Sequence, residues 1–154
     1  MSIDLAKSGV ETYNQEFKEY LSQEKEAIDL ISAIGHLMYS RSVELVLFRN
    51  PLLDRTISEI LNLHLYAKDV VNQPVDIFDS RDIANELLNM ELAPSKLDIG
   101  RLATEWIAEK NQHDDIRSFL NNKLRDYMGD DHQELMPRDV VLYGFGRIGR
   151  LAAR

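Results

Sequence analysis

The stretch "VVLYGFGRIGR" (Val140–Arg150) decides how this chain divides. Val140, Val141, Leu142 and Tyr143 form a short apolar run of the kind carried by a strand buried in a parallel sheet. Gly144, Gly146 and Gly149 then stand in the order G-x-G-x-x-G, and "RIGRLAAR" opens a helix. The spacing has a chemical reason. Gly144 permits the tight turn from strand to helix. The missing side chain at Gly146 lets a pyrophosphate reach the backbone, and Gly149 lets the helix pack closely on the strand. Free N–H groups at the helix start, helped by the helix dipole, face the phosphates, and Arg147 and Arg150 add positive charge. Residues 138–154 therefore read as the opening of a dinucleotide-binding domain.

Working back from that turn, "GDDHQELMP" (Gly129–Pro137) is polar, acidic and closed by a proline, which is the composition of a linker. Residues 1–137, linker included, read as a compact helical domain, so the expected fold class is mainly α with a truncated α/β start. The spacing predicts a first helix from about Val10 to Ile34, with Tyr13, Phe17, Tyr20, Leu21, Ile28 and Ile31 on one stripe and Gly35 as its stop. Val43 to Phe48 is the best strand candidate in the body, although a buried helix end would show a similar apolar run. A second helix is expected from about Asp54, with Ile57, Ile60, Leu61, His64 and Leu65 on one side and a break at Pro74. Asp79 is placed as the cap of a third helix, carrying Ile83, Ala84, Leu87 and Leu88. Ser95 and Asp98 have the form of a capping box ahead of Ile99, Leu102, Ala103, Trp106 and Ile107. Asp114 opens a fifth helix with Ile116, Phe119, Leu120, Leu124 and Tyr127, stopped by Gly129.

Composition narrows the function. The net charge is −8, but from Arg138 onward four arginines stand against one Asp139, so the preceding residues carry −11. Such an acidic body lacks the basic face that nucleic acid or an anionic membrane requires, and neither is expected as a partner. There is no cysteine, hence no disulfide, no thiolate metal site and no thiol nucleophile. The N-terminal residues lack the features of a signal peptide and no apolar run approaches membrane-spanning length, so a cytoplasmic location is expected.

The remaining chemistry-bearing residues have bland explanations. His36, His64, His113 and His132 are scattered, without the i, i+4 pairing of a zinc helix, and no metal site is expected. His64 lies on an apolar stripe and reads as a satisfied core histidine. Glu24, Glu26 and Asp29 read as a charged helix face rather than an acid–base pair. No catalytic residue is expected in residues 1–137. The Tyr13, Phe17, Tyr20 stripe reads as core packing, with docking onto a partner or dimerisation as the second reading.

"GFGRIGR" (Gly144–Arg150) also resembles the opening of glyceraldehyde-3-phosphate dehydrogenase, a family whose chains begin with a strand followed by N-G-F-G-R-I-G-R. The resemblance covers about the last fifteen residues. It implies a Rossmann domain binding NAD or NADP, with Gly144, Phe145, Gly146, Arg147, Ile148 and Gly149 lining the cofactor. It further implies that Arg147 and Ile148 present backbone N–H groups to the pyrophosphate. Tyr143 departs from the Asn usual in the family, which bears on the geometry beside the cofactor. The body resembles the helical N-terminal extension of some longer bacterial members. Family chemistry uses a cysteine nucleophile activated by a histidine, so the resemblance puts the catalytic apparatus beyond Arg154, in a parent enzyme that is a homo-oligomer. Its substrates would be glyceraldehyde 3-phosphate and phosphate; an erythrose 4-phosphate enzyme would share the same turn. The competing expectation from a different class is a helical interaction, oligomerisation or regulatory module with no activity of its own.

Overall fold

A computed structural model of the chain describes residues 2–71 and 75–128. Its elements run α1 (Ser2–Arg41), β1 (Val43–Leu47), β2 (Asn50–Pro51), α2 (Ile57–Val71), α3 (Ile77–Leu88), β3 (Ser95–Asp98), α4 (Ile99–Glu109) and α5 (Ile116–Lys123), with single 3₁₀ turns after α4 and α5. The body is mainly α, as its periodicity implies. The linker at 129–137 and the strand–turn–helix opening at 138–154 lie outside the described residues, as does Pro74.

Helix α1 does not stop at Gly35. A methyl group placed there would meet nothing within 4 Å, so the glycine sits in the helix without any steric demand. The helix instead ends at Ser42, whose φ of 56° is left-handed and whose N–H donates to the Met38 carbonyl at 3.0 Å. Strand β1 follows at once and is the middle of a three-stranded sheet ordered β2-β1-β3. It pairs antiparallel with β2 and parallel with β3, so α2 and α3 form the crossover between the parallel strands. Val43, Leu45, Val46 and Leu47 are buried, and Glu44 pairs with Lys96 across the register at 3.0 Å.

The expected strand ends one residue early because Phe48 and Arg49 both take positive φ, 45° and 72°. That is the geometry of a two-residue hairpin turn, for which Asn-Gly is the usual pair. Asp98 holds Phe48 in place: its Oδ1 accepts the Phe48 N–H at 2.9 Å and the N–H groups of Gly100 and Arg101 at 3.1 and 3.2 Å. One carboxylate thus caps α4 and ties it to the β1–β2 turn. Ser95–Asp98 is consequently a strand rather than the capping box expected from its sequence. The close approach requires glycine at position 100, where an added methyl would stand 2.7 Å from a ring carbon of Phe48.

Other helix starts shift by a few residues for similar reasons. Asp76, not Asp79, caps α3, accepting from the Phe78 N–H at 3.1 Å. Asp115, not Asp114, caps α5, accepting from the Ser118 N–H at 2.7 Å. α5 ends at Lys123 rather than continuing to Gly129, giving way to a 3₁₀ turn at Arg125–Tyr127. Helix α2 starts at Ile57 because Asp54 has a φ of 59°, and the capping box belongs to Thr56 and Glu59. There the Glu59 carboxylate accepts the Thr56 N–H at 2.8 Å and the Thr56 hydroxyl accepts the Glu59 N–H at 3.3 Å.

The core lies where the second half of α1 packs on α3 and α2. Ala27, Leu30, Ala33, Ile34 and Leu37 are buried there, together with Ile60, Ile83 and Leu87. Glu26 closes the edge with an ion pair to Arg81 at 2.7 Å, so it is a packing contact rather than a freely solvated charge. Arg41 donates to the Met90 carbonyl and, at 3.4 Å, to that of Leu87, satisfying the C-terminal end of α3. Phe119 is fully buried with Trp106 against it at 5.5 Å between ring centroids; Trp106 itself is only half-buried.

The first half of α1 overturns the core-packing expectation. Tyr13, Phe17, Tyr20, Leu21 and Ile28 are 66%, 50%, 46%, 39% and 53% exposed. Leu65, placed on the inner stripe of α2 by its spacing, is exposed too. The spacing specifies a stripe and carries no information about what covers it.

Candidate functional site

The residues expected to line a dinucleotide, Gly144, Phe145, Gly146, Arg147, Ile148 and Gly149, all lie outside the described residues. His132 does as well. Two polar clusters lie within the described body.

The more buried of them joins α2 to α3. His64 is 6% exposed and Ser80 is fully buried. The Ile60 carbonyl can only accept, so His64 Nδ1 carries the proton and donates to it at 2.8 Å. Nε2 then accepts from the Ser80 hydroxyl at 2.9 Å. Burial pushes the His64 pKa down, against a smaller opposing pull from the carbonyl bond and Asp76, which keeps the ring neutral. The ring also forms part of a cleft of about 310 Å³, with Tyr20, Leu61, Leu65 and Val75 on its walls. Ser80 does not reach this cleft, and Asp76 serves as the cap of α3. A hydroxyl sealed in the core cannot attack a substrate. His64 and Ser80 form a satisfied polar bridge, which is the core-histidine reading of the sequence.

A second cluster lies between α4 and α5. Lys123 Nζ bonds Glu109 at 2.8 Å and Glu105 at 3.1 Å and sits 5.6 Å from the centre of the Phe119 ring. The carboxylates, Glu109 foremost, hold the ammonium pKa above its ordinary value. His113 meets the Phe119 ring edge-on, with Nε2 3.8 Å from Glu109. This arrangement fastens two helices together and leaves no open coordination: no group of three or more potential ligands is gathered around a metal-sized space among the described residues. None of the described helices is long and apolar enough to cross a membrane.

Sequence spacing had no means of finding the His64–Ser80 bridge. The partners are sixteen residues apart on different helices, and only the packing angle of α2 on α3 brings them together.

No protein-family model matches the chain. It is similar to a "Glyceraldehyde-3-phosphate dehydrogenase-like protein" of Pseudomonas aeruginosa (strain UCBPP-PA14), with 28% identity over 128 residues. The similarity covers 81% of this chain but 28% of that protein, so the chain spans less than a third of its relative's length. A match over four fifths of the chain cannot rest on the glycine turn alone. It takes in most of the helical body.

Proposed function

We propose that this chain is the N-terminal part of a glyceraldehyde-3-phosphate dehydrogenase-like oxidoreductase. Residues 1–137 would be a helical extension and residues 138–154 the opening of its NAD(P)-binding domain. The observation that carries this reading is the run Gly144–Arg150 in a chain whose body is also similar to a protein of that name. In this reading Gly144, Phe145, Gly146, Arg147, Ile148 and Gly149 line the dinucleotide of NAD or NADP, with the Arg147 and Ile148 backbone N–H groups on its pyrophosphate. The chemistry (oxidation of a phosphorylated aldehyde, hydride transfer to the nicotinamide, and release of the acyl group to phosphate) belongs to residues outside this chain, which has no cysteine to serve as nucleophile.

A phosphate turn works when its strand is held in a sheet and the N–H groups converge on one point. The 154-residue chain should therefore show no saturable NAD binding in calorimetry at physiological salt. The same chain extended to the length of its relative should bind NAD(P) and reduce it with glyceraldehyde 3-phosphate, and Gly146→Val should abolish both. Tight, salt-resistant binding by the short chain, or an extended chain without dehydrogenase activity, would overturn the assignment.

A second reading gains support from a separate observation. The stripe of exposed aromatic side chains on α1 favours a helical interaction module that acts alongside, or without, the enzyme.

A further inference from the structure

The cleft beside His64 lies where α1, α2 and the start of α3 meet. Its volume of about 310 Å³ is that of a small-molecule site, for which about 300–1,000 Å³ is usual. All three elements give it apolar surface: Tyr20 from α1, Leu61 and Leu65 from α2, and Val75 and Ile77 from around the start of α3. Val75 and Ile77 are buried while Leu65 is 72% exposed, so this surface runs from the core out to solvent. His64 adds one wall. Both of its ring nitrogens are engaged, by the Ile60 carbonyl and the Ser80 hydroxyl, so it offers an occupant packing and no free hydrogen-bonding group.

Charge in the cleft is one-sided. Asp76 is the single charged residue on its described walls, where His64 is neutral and Gln23, Ser58 and Asn62 are uncharged. One oxygen of the Asp76 carboxylate accepts the Phe78 N–H at 3.1 Å, and the other has no hydrogen bond among the described residues. Nor does Asp76 have an ion-pair partner among them, whereas Glu26, Glu44, Glu59 and Glu105 each do. Its charge does reach the cleft, because it is felt at the His64 ring, where it opposes the larger effect of burial.

We infer that this cleft binds a small primary amine, its apolar arm against Tyr20, Leu61, Leu65 and Val75 and its ammonium on the Asp76 carboxylate. Complementarity of charge selects that class. A phosphate or carboxylate would meet Asp76 with no lysine or arginine on the described walls to offset it, and would approach a body that carries −11 before Arg138. A neutral apolar molecule would fill the same walls and leave Asp76 unused. An amine uses both. The site stands apart from the dehydrogenase reading, whose cofactor turn lies at 144–149.

An NMR titration of the full chain at physiological salt tests this with 2-phenylethylamine, 2-phenylethanol and 3-phenylpropionate, which share a ring and differ in charge. The amine should bind saturably, with Kd below about 1 mM, and shift the amides of Leu61, Leu65 and Val75. The alcohol should bind about fivefold more weakly, as an ion pair open to water allows, and the acid should not saturate. Asp76→Asn keeps a side chain that can cap α3 and should erase the advantage of the amine over the alcohol. Glu91→Gln removes the same unit of charge beyond the far end of α3 and should leave that advantage in place. Leu65→Lys, at an exposed position, sets a competing ammonium at the cleft and should act as Asp76→Asn does, so the test survives if that variant fails to fold. Far-UV circular dichroism identifies the folded variants. Equal affinity for amine and alcohol would overturn the assignment. So would an advantage that survives Asp76→Asn and Leu65→Lys, or one that Glu91→Gln also erases. Shifts that never saturate with the amine would do the same, showing a cleft that holds only water.

Discussion

The projecting half of α1 and the helix α4 are written in the same alphabet and meet opposite fates. Each carries apolar residues at three- and four-residue steps between charges. In α4, Ile99, Leu102 and Ala103 are buried; in α1, Tyr13, Phe17 and Tyr20 are exposed. The difference is one of placement. α4 has 11 residues and starts where β3 ends, so pairing of β3 with β1 lays it against the core. α1 is about 60 Å long, and a small domain is about 30 Å across. Roughly half of such a helix must overhang whatever its sequence. A stripe says that a helix has an apolar face; it does not say that the domain is large enough to cover it.

The largest expected effect sets the two helices against each other directly. Ile99→Ala should cost about 2–5 kcal/mol of stability, because a fully buried side chain leaves a cavity. Phe17→Ala should stay within about 0.5 kcal/mol at concentrations where the chain is monomeric. Urea midpoints at unchanged slope measure both, and equal losses would erase the contrast. Next in size, Gly100→Ala should cost about 1–3 kcal/mol, since the added methyl must displace the Phe48 ring from a contact of 2.7 Å. A neutral result there would mean that α4 is not held tightly to the β1–β2 turn.

A buried histidine sharpens the contrast through pH. The folded-state pKa of His64 lies below that of the unfolded chain, about 6.5. As pH falls through that value the unfolded state takes up the proton first, so stability should decline until the folded-state pKa is reached. His64→Gln, which keeps hydrogen-bonding capacity, should flatten the urea midpoint between pH 7.5 and 5 by about the share that this group contributes. An unchanged slope would show that the ring is not sealed between α2 and α3. The smallest effect is a gain. Gly35→Ala places a methyl in open space inside a helix and should stabilise by about 0.5–1 kcal/mol, read as a raised thermal midpoint. A loss instead would mean that Gly35 does end or bend α1.

What was readable along the chain was local chemistry. The apolar run at Val43 also suits a buried helix end until its pairing is seen, whereas the stripes of α3, α4 and α5 recur at helical spacing, so their existence followed from the residues alone. Their starts did not. Two aspartates stand near the starts of α3 and α5, and the choice between Asp76 and Asp79, or Asp114 and Asp115, depends on where tertiary contacts hold the first turn. Phe48-Arg49 as a left-handed hairpin turn had no cue of its own, because its geometry is maintained by Asp98, fifty residues away. The glycine pattern at 144–149 is readable for the opposite reason: its spacing stands in consecutive residues.

The sequence by itself determined that the body is helical, that Val43–Phe48 is an apolar run suited to a strand, that His64 is an interior histidine, and that Gly144–Gly149 has the spacing of a phosphate-binding turn. Each of these depends on neighbours within a turn or two along the chain. Only the tertiary structure decided that Ser95–Asp98 is a strand, that His64 finds Ser80, that glycine is required at position 100 and not at 35, and that the aromatic stripe of α1 faces solvent. Those outcomes depend on distances between residues far apart in the chain. Such distances are set by how helices of unequal length stack on one small sheet, and periodicity carries no record of them.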